Sequence, residues 1–230
     1  MGWSGADQLQ ELHALRRELA GGVGARQEQL DEICARWEKH REVLRPGEKD
    51  EILDLVDAMG RTVDLTAPRW LCHLLGLRHR SAHVLLCWSS PALGRVFVLQ
   101  VRSWSKEMLA GQLDISVGGH VAAGVSATET AYAEMNEELG LGRQHLQGGE
   151  LTYCKGYESR TEADDYCDLE WCEVYGGEIG TEGLERIHFK DGEVVGLYLC
   201  PQEEVRNLLE QKIIPIASGL AYSLPHSLAN

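Results

Sequence analysis

The chain has 230 residues, 43% of them apolar and 25% charged, with 22 basic and 36 acidic residues and a formal net charge of −14. A chain of this length forms one large domain, or one domain with an appendage, and buries enough surface to fold without disulfides or a structural metal. The acidity argues against a nucleic-acid partner, which would call for a basic stripe, and no stretch reaches the roughly 20 apolar residues of a membrane span. A nucleotide or diphosphate substrate stays open, because a bound metal ion inverts the local field.

The first residues place no apolar run behind basic ones, so no secretory signal is expected. The cysteines at 34, 72, 87, 154, 167, 172 and 200 are odd in number, scattered and without a CxxC pair. That pattern predicts reduced thiols in a cytoplasmic protein.

In chain order, residues 5–20 and 26–45 read as helices, with Leu9, Leu12, Leu15 and Leu19 on one apolar stripe and Leu30, Ile33, Trp37 and Leu44 on another. The glycine-rich segment at 21–24 separates them, and Pro46-Gly47 closes the second. Residues 1–46 are therefore expected to form a helical hairpin extension, with homodimerisation as a possible role. The main domain spans 47–230. Residues 51–57 and 61–65 flank Ala58-Met59-Gly60 as a hairpin; 83–88, 95–101, 151–157, 166–175 and 194–200 read as strands; residues 201–210 open with proline and become a helix. Strands mixed with few helices predict an α+β or α/β sandwich.

The chemistry concentrates between Asp114 and Leu141, which reads as a strand, a glycine-rich loop and a helix. Ser126 followed by Glu129 is a capping box, so a helix is expected from about Ala127 to Leu139, with Gly140 just past its end. Glu134, Glu137 and Glu138 fall at i, i+3 and i+4, placing three carboxylates on one face. Their mutual repulsion would be offset by a hard divalent cation, and the glycines upstream let backbone N–H groups approach a phosphate.

This stretch resembles the Nudix box, G-x5-E-x7-R-E-U-x-E-E-x-G-U: Gly119 takes the first glycine, and Glu134, Met135, Glu137, Glu138, Gly140 and Leu141 follow in their places. The resemblance covers roughly residues 48–212 and is nearest to the branch that includes isopentenyl-diphosphate isomerases, through Arg78-His79, Arg102 with Lys106, Asp168-Leu169-Glu170 and Asp191–Val194. It implies an α/β Nudix sandwich with a mixed sheet, extended here by the N-terminal helices. It further implies Mg²⁺-dependent hydrolysis (Mn²⁺ possible) of a diphosphate linkage in a small molecule, by default a nucleoside diphosphate derivative. Glu137 and Glu138 would be the principal metal ligands and Glu134 a further ligand or orienting acid. Glu170 is the candidate general base, with Glu134 as the fallback. Arg102, Lys106, Gly118, Gly119 and His120 would contact substrate.

The box departs from the family pattern at Val125, where the loop glutamate belongs, and at Ala133, where the arginine belongs. The joint change fits loss of a structural ion pair or loss of catalysis, the latter leaving a degenerate diphosphate-binding or interaction protein. Isomerases of the similar branch bind metal through histidines and acids and use a cysteine. His79, His120, Asp168 and Glu170 fall near matching positions, with His73 close to another, but Gly118 stands where the thiol belongs.

Overall fold

A computed structural model of the chain describes residues 5–22, 24–45, 48–105, 108–190, 192–211 and 214–224. Pro46-Gly47, Lys106 and Asp191, all singled out from the sequence, lie outside the described residues. The chain divides into two compact units: one runs to Ser81 and includes His120–Val125 and Gly156–Cys172, and the other holds Ala82–Gly119, Ser126–Lys155 and the chain from Glu173 onward.

The first unit opens with α1 (Gly5–Leu19) and α2 (Gln27–Trp37). The single helix expected over 26–45 is interrupted: a 3-10 turn at Glu38–His40 precedes the short α3 (Arg41–Leu44), where i→i+3 bonding such as Arg41 N–H to Glu38 O takes over from the α pattern. The two apolar stripes face inward. Leu12, Leu19, Leu30, Ile33, Trp37 and Leu44 join Leu53, Leu55, Trp70, Leu71, Leu74 and Leu75 in one core cluster, each buried leucine contributing roughly 1.5–3 kcal/mol.

The hairpin follows as expected. β1 (Ile52–Val56) pairs antiparallel with β2 (Thr62–Pro68), from Ile52 opposite Pro68 to Val56 opposite Thr62. Asp57 Oδ1 accepts the backbone N–H groups of Met59 and Arg61 at 2.8 and 3.0 Å and shapes the turn. Gly60 sits there at φ +76°, where a Cβ would overlap the Trp171 ring. Next comes α4 (Arg69–Leu75), which the sequence pattern did not disclose because Trp70 through Leu75 are all buried and no amphipathic period survives. It ends at Gly76 in the left-handed region, φ +67°, where a Cβ would lie 2.6 Å from Cys167 Sγ.

β3 (His79–Ser90) starts in the first unit, with His79 opposite Leu55, and continues in the second. In the second unit it pairs with β4 (Gly94–Arg102), Leu86 opposite Val98 and Ser90 opposite Gly94. β5 (Leu113–Asp114) lies against β4 through Gln100–Asp114. β6 (Val117–His120) leads to α5 (Ala127–Leu139), and β7 (Thr152–Ala163) and β8 (Tyr166–Ile179) form a hairpin that runs through both units. After α6 (Thr181–Glu185), β9 (Val194–Pro201) covers the other edge of β4, with Leu99 opposite Tyr198. A 3-10 turn at Gln202–Glu204, α7 (Val205–Gln211) and α8 (Ser218–Ser223) complete the described chain. The ladders named here are antiparallel, and Leu113 makes a parallel bridge to Ile216.

α5 has the expected bounds. Ser126 Oγ accepts the Glu129 N–H at 3.2 Å while Glu129 Oε2 accepts the Ser126 N–H at 3.1 Å, a reciprocal cap that satisfies two orphan donors. Ala131, Met135 and Leu139 are buried as the spacing predicts. The cysteines are free thiols, five of them buried.

Candidate metal centre

Within the first unit, one ligand atom from each of His73, His79, His120 and Asp168 lies within 4.8 Å of every other. Four elements deliver them: α4 carries His73, the first position of β3 carries His79, the end of β6 carries His120, and β8 carries Asp168. On β8, Tyr166, Asp168 and Glu170 alternate with the buried Cys167 and Leu169, so the period of two puts the polar three on one face. The segment after His120 is pinned: Val121 N–H donates to Arg80 O at 2.9 Å, Ala123 N–H to Ile52 O at 2.8 Å, and Gly124 N–H to Asp54 Oδ2 at 2.8 Å. Arg80 donates in turn to the carbonyl of Val125 at 2.9 Å.

The distances define a tight array. His73 Nε2 lies 3.2 Å from His120 Nε2 and 3.7 Å from Asp168 Oδ1. His79 Nε2 lies 3.4 Å from Asp168 Oδ1, and His120 Nε2 lies 3.4 Å from Glu170 Oε1. Behind this layer, Glu48 is hydrogen-bonded to His73 Nδ1, and Tyr166 donates its hydroxyl to Asp168 Oδ2 at 3.1 Å. The Arg45 guanidinium lies 4.7 Å from the centre of the Tyr166 ring, a cation–π contact.

His79 Nδ1 donates to the Leu77 carbonyl at 2.9 Å, which leaves the lone pair on Nε2. That nitrogen and Asp168 Oδ1 are buried without a hydrogen-bond partner, and they face each other. Two buried lone pairs in opposition are costly unless a cation sits between them. Burial also pushes the His79 pKa down to about 4, so the ring stays neutral and able to ligate near pH 7. The residues thus fit a divalent metal ion, and three imidazoles among the donors favour a borderline transition ion over Mg²⁺, which prefers an all-oxygen shell. The Glu48–His73 pair is the carboxylate–histidine arrangement that orients a metal-bound imidazole. Burial first, and the Asp168 carboxylate second, push the Glu170 carboxyl up to about 8. Burial and the same acids also raise the Tyr166 phenol, which stays protonated as a donor.

The box residues have a separate geometry in the second unit. Glu138 is buried, 3% exposed, with its Oε2 3.4 Å from Gln100 Nε2. Glu134 is half-buried against Gly119, and Glu137 is exposed. These three are absent from the tight ligand groupings found among the described residues. Gly118 and Gly119 lie in strand β6 rather than in a loop, and neither needs a positive φ. They are required by close approach: a Cβ at Gly118 would stand 2.9 Å from Ile115 Cδ1, and one at Gly119 would overlap the Glu134 carboxylate. Arg102 is engaged by Asp114 Oδ2 at 3.0 Å and the Met108 carbonyl at 3.2 Å, so part of its fork holds a loop. Of the residues expected to serve the site, His120 and Glu170 meet in the first unit, together with the His73, His79 and Asp168 of the isomerase-like pattern. Sequence reasoning missed Glu48 and Tyr166. Tyr166 carried a usable signal, as the first member of the alternating Tyr-x-Asp-x-Glu run; Glu48 carried none.

The fold and the box together define the class. The chain is 30% identical to Nudix hydrolase 3 of Arabidopsis thaliana over 164 residues, 71% of this chain and 21% of the relative. It is 43% identical over 91 residues to a Streptomyces coelicolor protein named as an uncharacterized Nudix hydrolase, covering 40% of this chain and 48% of the relative. It thus spans less than half the length of either relative. The solved structure of DR0079 from Deinococcus radiodurans shares the fold, with a TM-score of 0.57 at 21% identity, over 76% of this chain and 98% of that one. No protein-family model matches the chain. The chain is thus similar to Nudix hydrolases in its box and in these aligned stretches, and it has the α/β sandwich fold with a mixed sheet, preceded by N-terminal helices.

Proposed function

We propose that the chain is a divalent-metal-dependent hydrolase of a diphosphate linkage in a small molecule, with a nucleoside diphosphate derivative as the substrate class. The observation that carries this reading is the joint between strand and helix. Glu134 lies against Gly119 so closely that no side chain fits between them, and the capped helix behind it keeps Glu134, Glu137 and Glu138 in the box order. Curated relatives that align over the chain are named as Nudix hydrolases, which supports the same reaction class. Val125 and Ala133 then mark a lost ion pair rather than lost catalysis, since the loop before the helix is held by the Arg80–Val125 and Asp54–Gly124 bonds.

In this reading Glu134, Glu137 and Glu138 would hold Mg²⁺ or Mn²⁺ with the substrate phosphates. A bound ion supplies charge neutralisation and water activation. Glu170, whose carboxyl burial pushes up to about 8, takes or returns a proton. Arg102 and Lys106 bind the diphosphate, with Gly118, Gly119 and His120 lining its approach. The free thiols support a reducing compartment such as the cytoplasm.

The histidine cluster favours a second reading, an isopentenyl-diphosphate isomerase-like reaction, because its donor set is the one the similar branch uses. Gly118 leaves that reaction without its thiol. Product analysis separates the two. The protein is incubated with Mg²⁺ or Mn²⁺ and nucleoside triphosphates, nucleotide sugars, dinucleotides, and isopentenyl and dimethylallyl diphosphates, beside Glu138→Gln and His120→Asn. Cleavage lost in Glu138→Gln supports the hydrolase. Isomer interconversion without phosphate release, lost in His120→Asn, supports the isomerase. Silence across the panel by a folded, metal-binding protein assigns a binding role.

A further inference from the structure

The first unit holds a cavity of about 770 Å³ with no member of the histidine cluster in its wall. Cys167 and Leu169 line it, and on β8 they alternate with Asp168, so the cavity lies on the opposite face of that strand. Its volume falls in the range of small-molecule sites, roughly 300–1,000 Å³.

The wall carries four arginines and His13 against two acids, Glu162 and Asp164, although the chain has a net charge of −14. His13, Arg16 and Arg17 fall at i, i+3 and i+4 on one face of α1, and Arg78 and Arg160 face them from β3's approach and from β7. Two of these guanidiniums are each held by one carboxylate: Arg78 donates to Glu158 at 2.9 and 2.7 Å, and Arg160 to Glu162 at 3.0 and 2.7 Å.

Arg16 is different. Its Nε donates to the Leu74 carbonyl at 2.8 Å and its Nη1 to the carbonyls of Ala163 and Asp164 at 3.2 and 3.0 Å. Its Nη2 is buried with no hydrogen-bond partner. The guanidinium is fixed by backbone carbonyls on two sides, its third nitrogen is turned away from the open space, and it bonds no carboxylate, so it stands beside the cavity as a fixed, unpaired positive charge. Small residues keep the space open beside it. Ala20, Gly21 and Gly76 line the cavity, and a Cβ on Gly21 would press on Arg78 Nη1 at 3.0 Å.

We propose that this cavity binds a small phosphate-bearing anion at a site separate from that of the diphosphate reaction. Arg16 would contribute its fixed charge and Arg17 its donors, while Arg78 and Arg160 share theirs with the carboxylates that orient them. Arginine suits this work because its planar fork matches phosphate oxygens. The cavity is assembled from the N-terminal extension and the β7–β8 hairpin together, so occupancy would tie the helices to the domain that follows them.

The test is calorimetric titration of inorganic pyrophosphate into the full chain at constant ionic strength. EDTA is present so that no metal bridges the anion to the histidines. The expected result is saturable binding that weakens about tenfold, or about 1.4 kcal/mol, in Arg17→Ala and in Arg160→Gln, and that His120→Asn leaves unchanged. Arg17 is exposed, so its truncation does not threaten folding; melting curves verify the other variants. Absence of saturable binding overturns the site. So does equal affinity in wild type and both arginine variants, or loss of binding in His120→Asn, which would move the anion to the histidine cluster.

Discussion

His73 Nε2 and His120 Nε2 stand 3.2 Å apart, inside hydrogen-bonding distance and with no donor other than a ring proton between them. His73 Nδ1 faces the Glu48 carboxylate, so the His73 proton belongs on Nδ1 and its Nε2 offers a lone pair. In the metal-free protein His120 must then supply the proton. A divalent ion bound there would be held by both lone pairs, along with the unsatisfied pair on His79 Nε2. Addition of Mn²⁺ or Zn²⁺ at about 100 times its dissociation constant is therefore expected to stabilise the protein by about 2.7 kcal/mol. That corresponds to a rise of roughly 5–10 °C in melting temperature for a chain of this size. His79→Asn should remove most of the rise. A melting temperature indifferent to both ions would show that the array is a structural histidine cluster.

Glu48 comes from the chain just before β1 and touches the site only through His73. Its part is to hold the imidazole in one tautomer and one orientation. Glu48→Gln keeps the shape and removes the charge, and the expected loss is about 10- to 100-fold in metal affinity. Competition against a chromophoric chelator measures it. Unchanged affinity would leave Glu48 with a packing role alone, and the neighbouring ion pair at 4.0 Å to Arg69 would be the reason for its burial.

Gly119→Ala tests the joint between β6 and α5. The new methyl group would occupy the space of the Glu134 carboxylate, so that side chain must swing away from β6. The expected cost is about 1–3 kcal/mol, the usual scale for overpacking, with loss of turnover. Glu134→Ala empties the same space, so the double variant should recover most of the stability and none of the activity. Additive destabilisation in that cycle, read from urea midpoints, would show that the two residues do not share the space.

What the sequence discloses is local. The helix α5 has its expected ends because a capping box and a terminal glycine are signals within a few residues of the boundary they set. The β1–β2 hairpin is legible for the same reason, with Asp57 and Gly60 shaping its turn. The helix α4 is not legible, because burial on all sides erases the period that marks a surface helix. The convergence of His73, His79, His120 and Asp168 depends on a strand register and a crossover, and no spacing along the chain encodes it without the resemblance to a known branch. Arg102 is a further case of what spacing leaves out. A basic residue before the box reads as a substrate contact, and its two partners, Asp114 and the Met108 carbonyl, appear only once the chain is folded.

Cys87 gives a test of the core that involves no metal. It lies on β3 opposite Phe97, 2% exposed, and burial raises its thiol above the ordinary 9.0. The unfolded chain ionises this thiol as the pH passes 9 while the folded chain keeps its proton, so the unfolded state binds fewer protons and stability falls with rising pH. The fall begins at the unfolded value and ends where the folded thiol itself ionises. One such group contributes about 1.4 kcal/mol per pH unit inside that window. Urea midpoints between pH 8 and pH 10 should therefore drop in the wild type, and Cys87→Ala should drop less over the same interval. Parallel slopes for the two proteins would mean that Cys87 ionises as readily in the folded sheet as in the unfolded chain, and that the strand pair around it admits water.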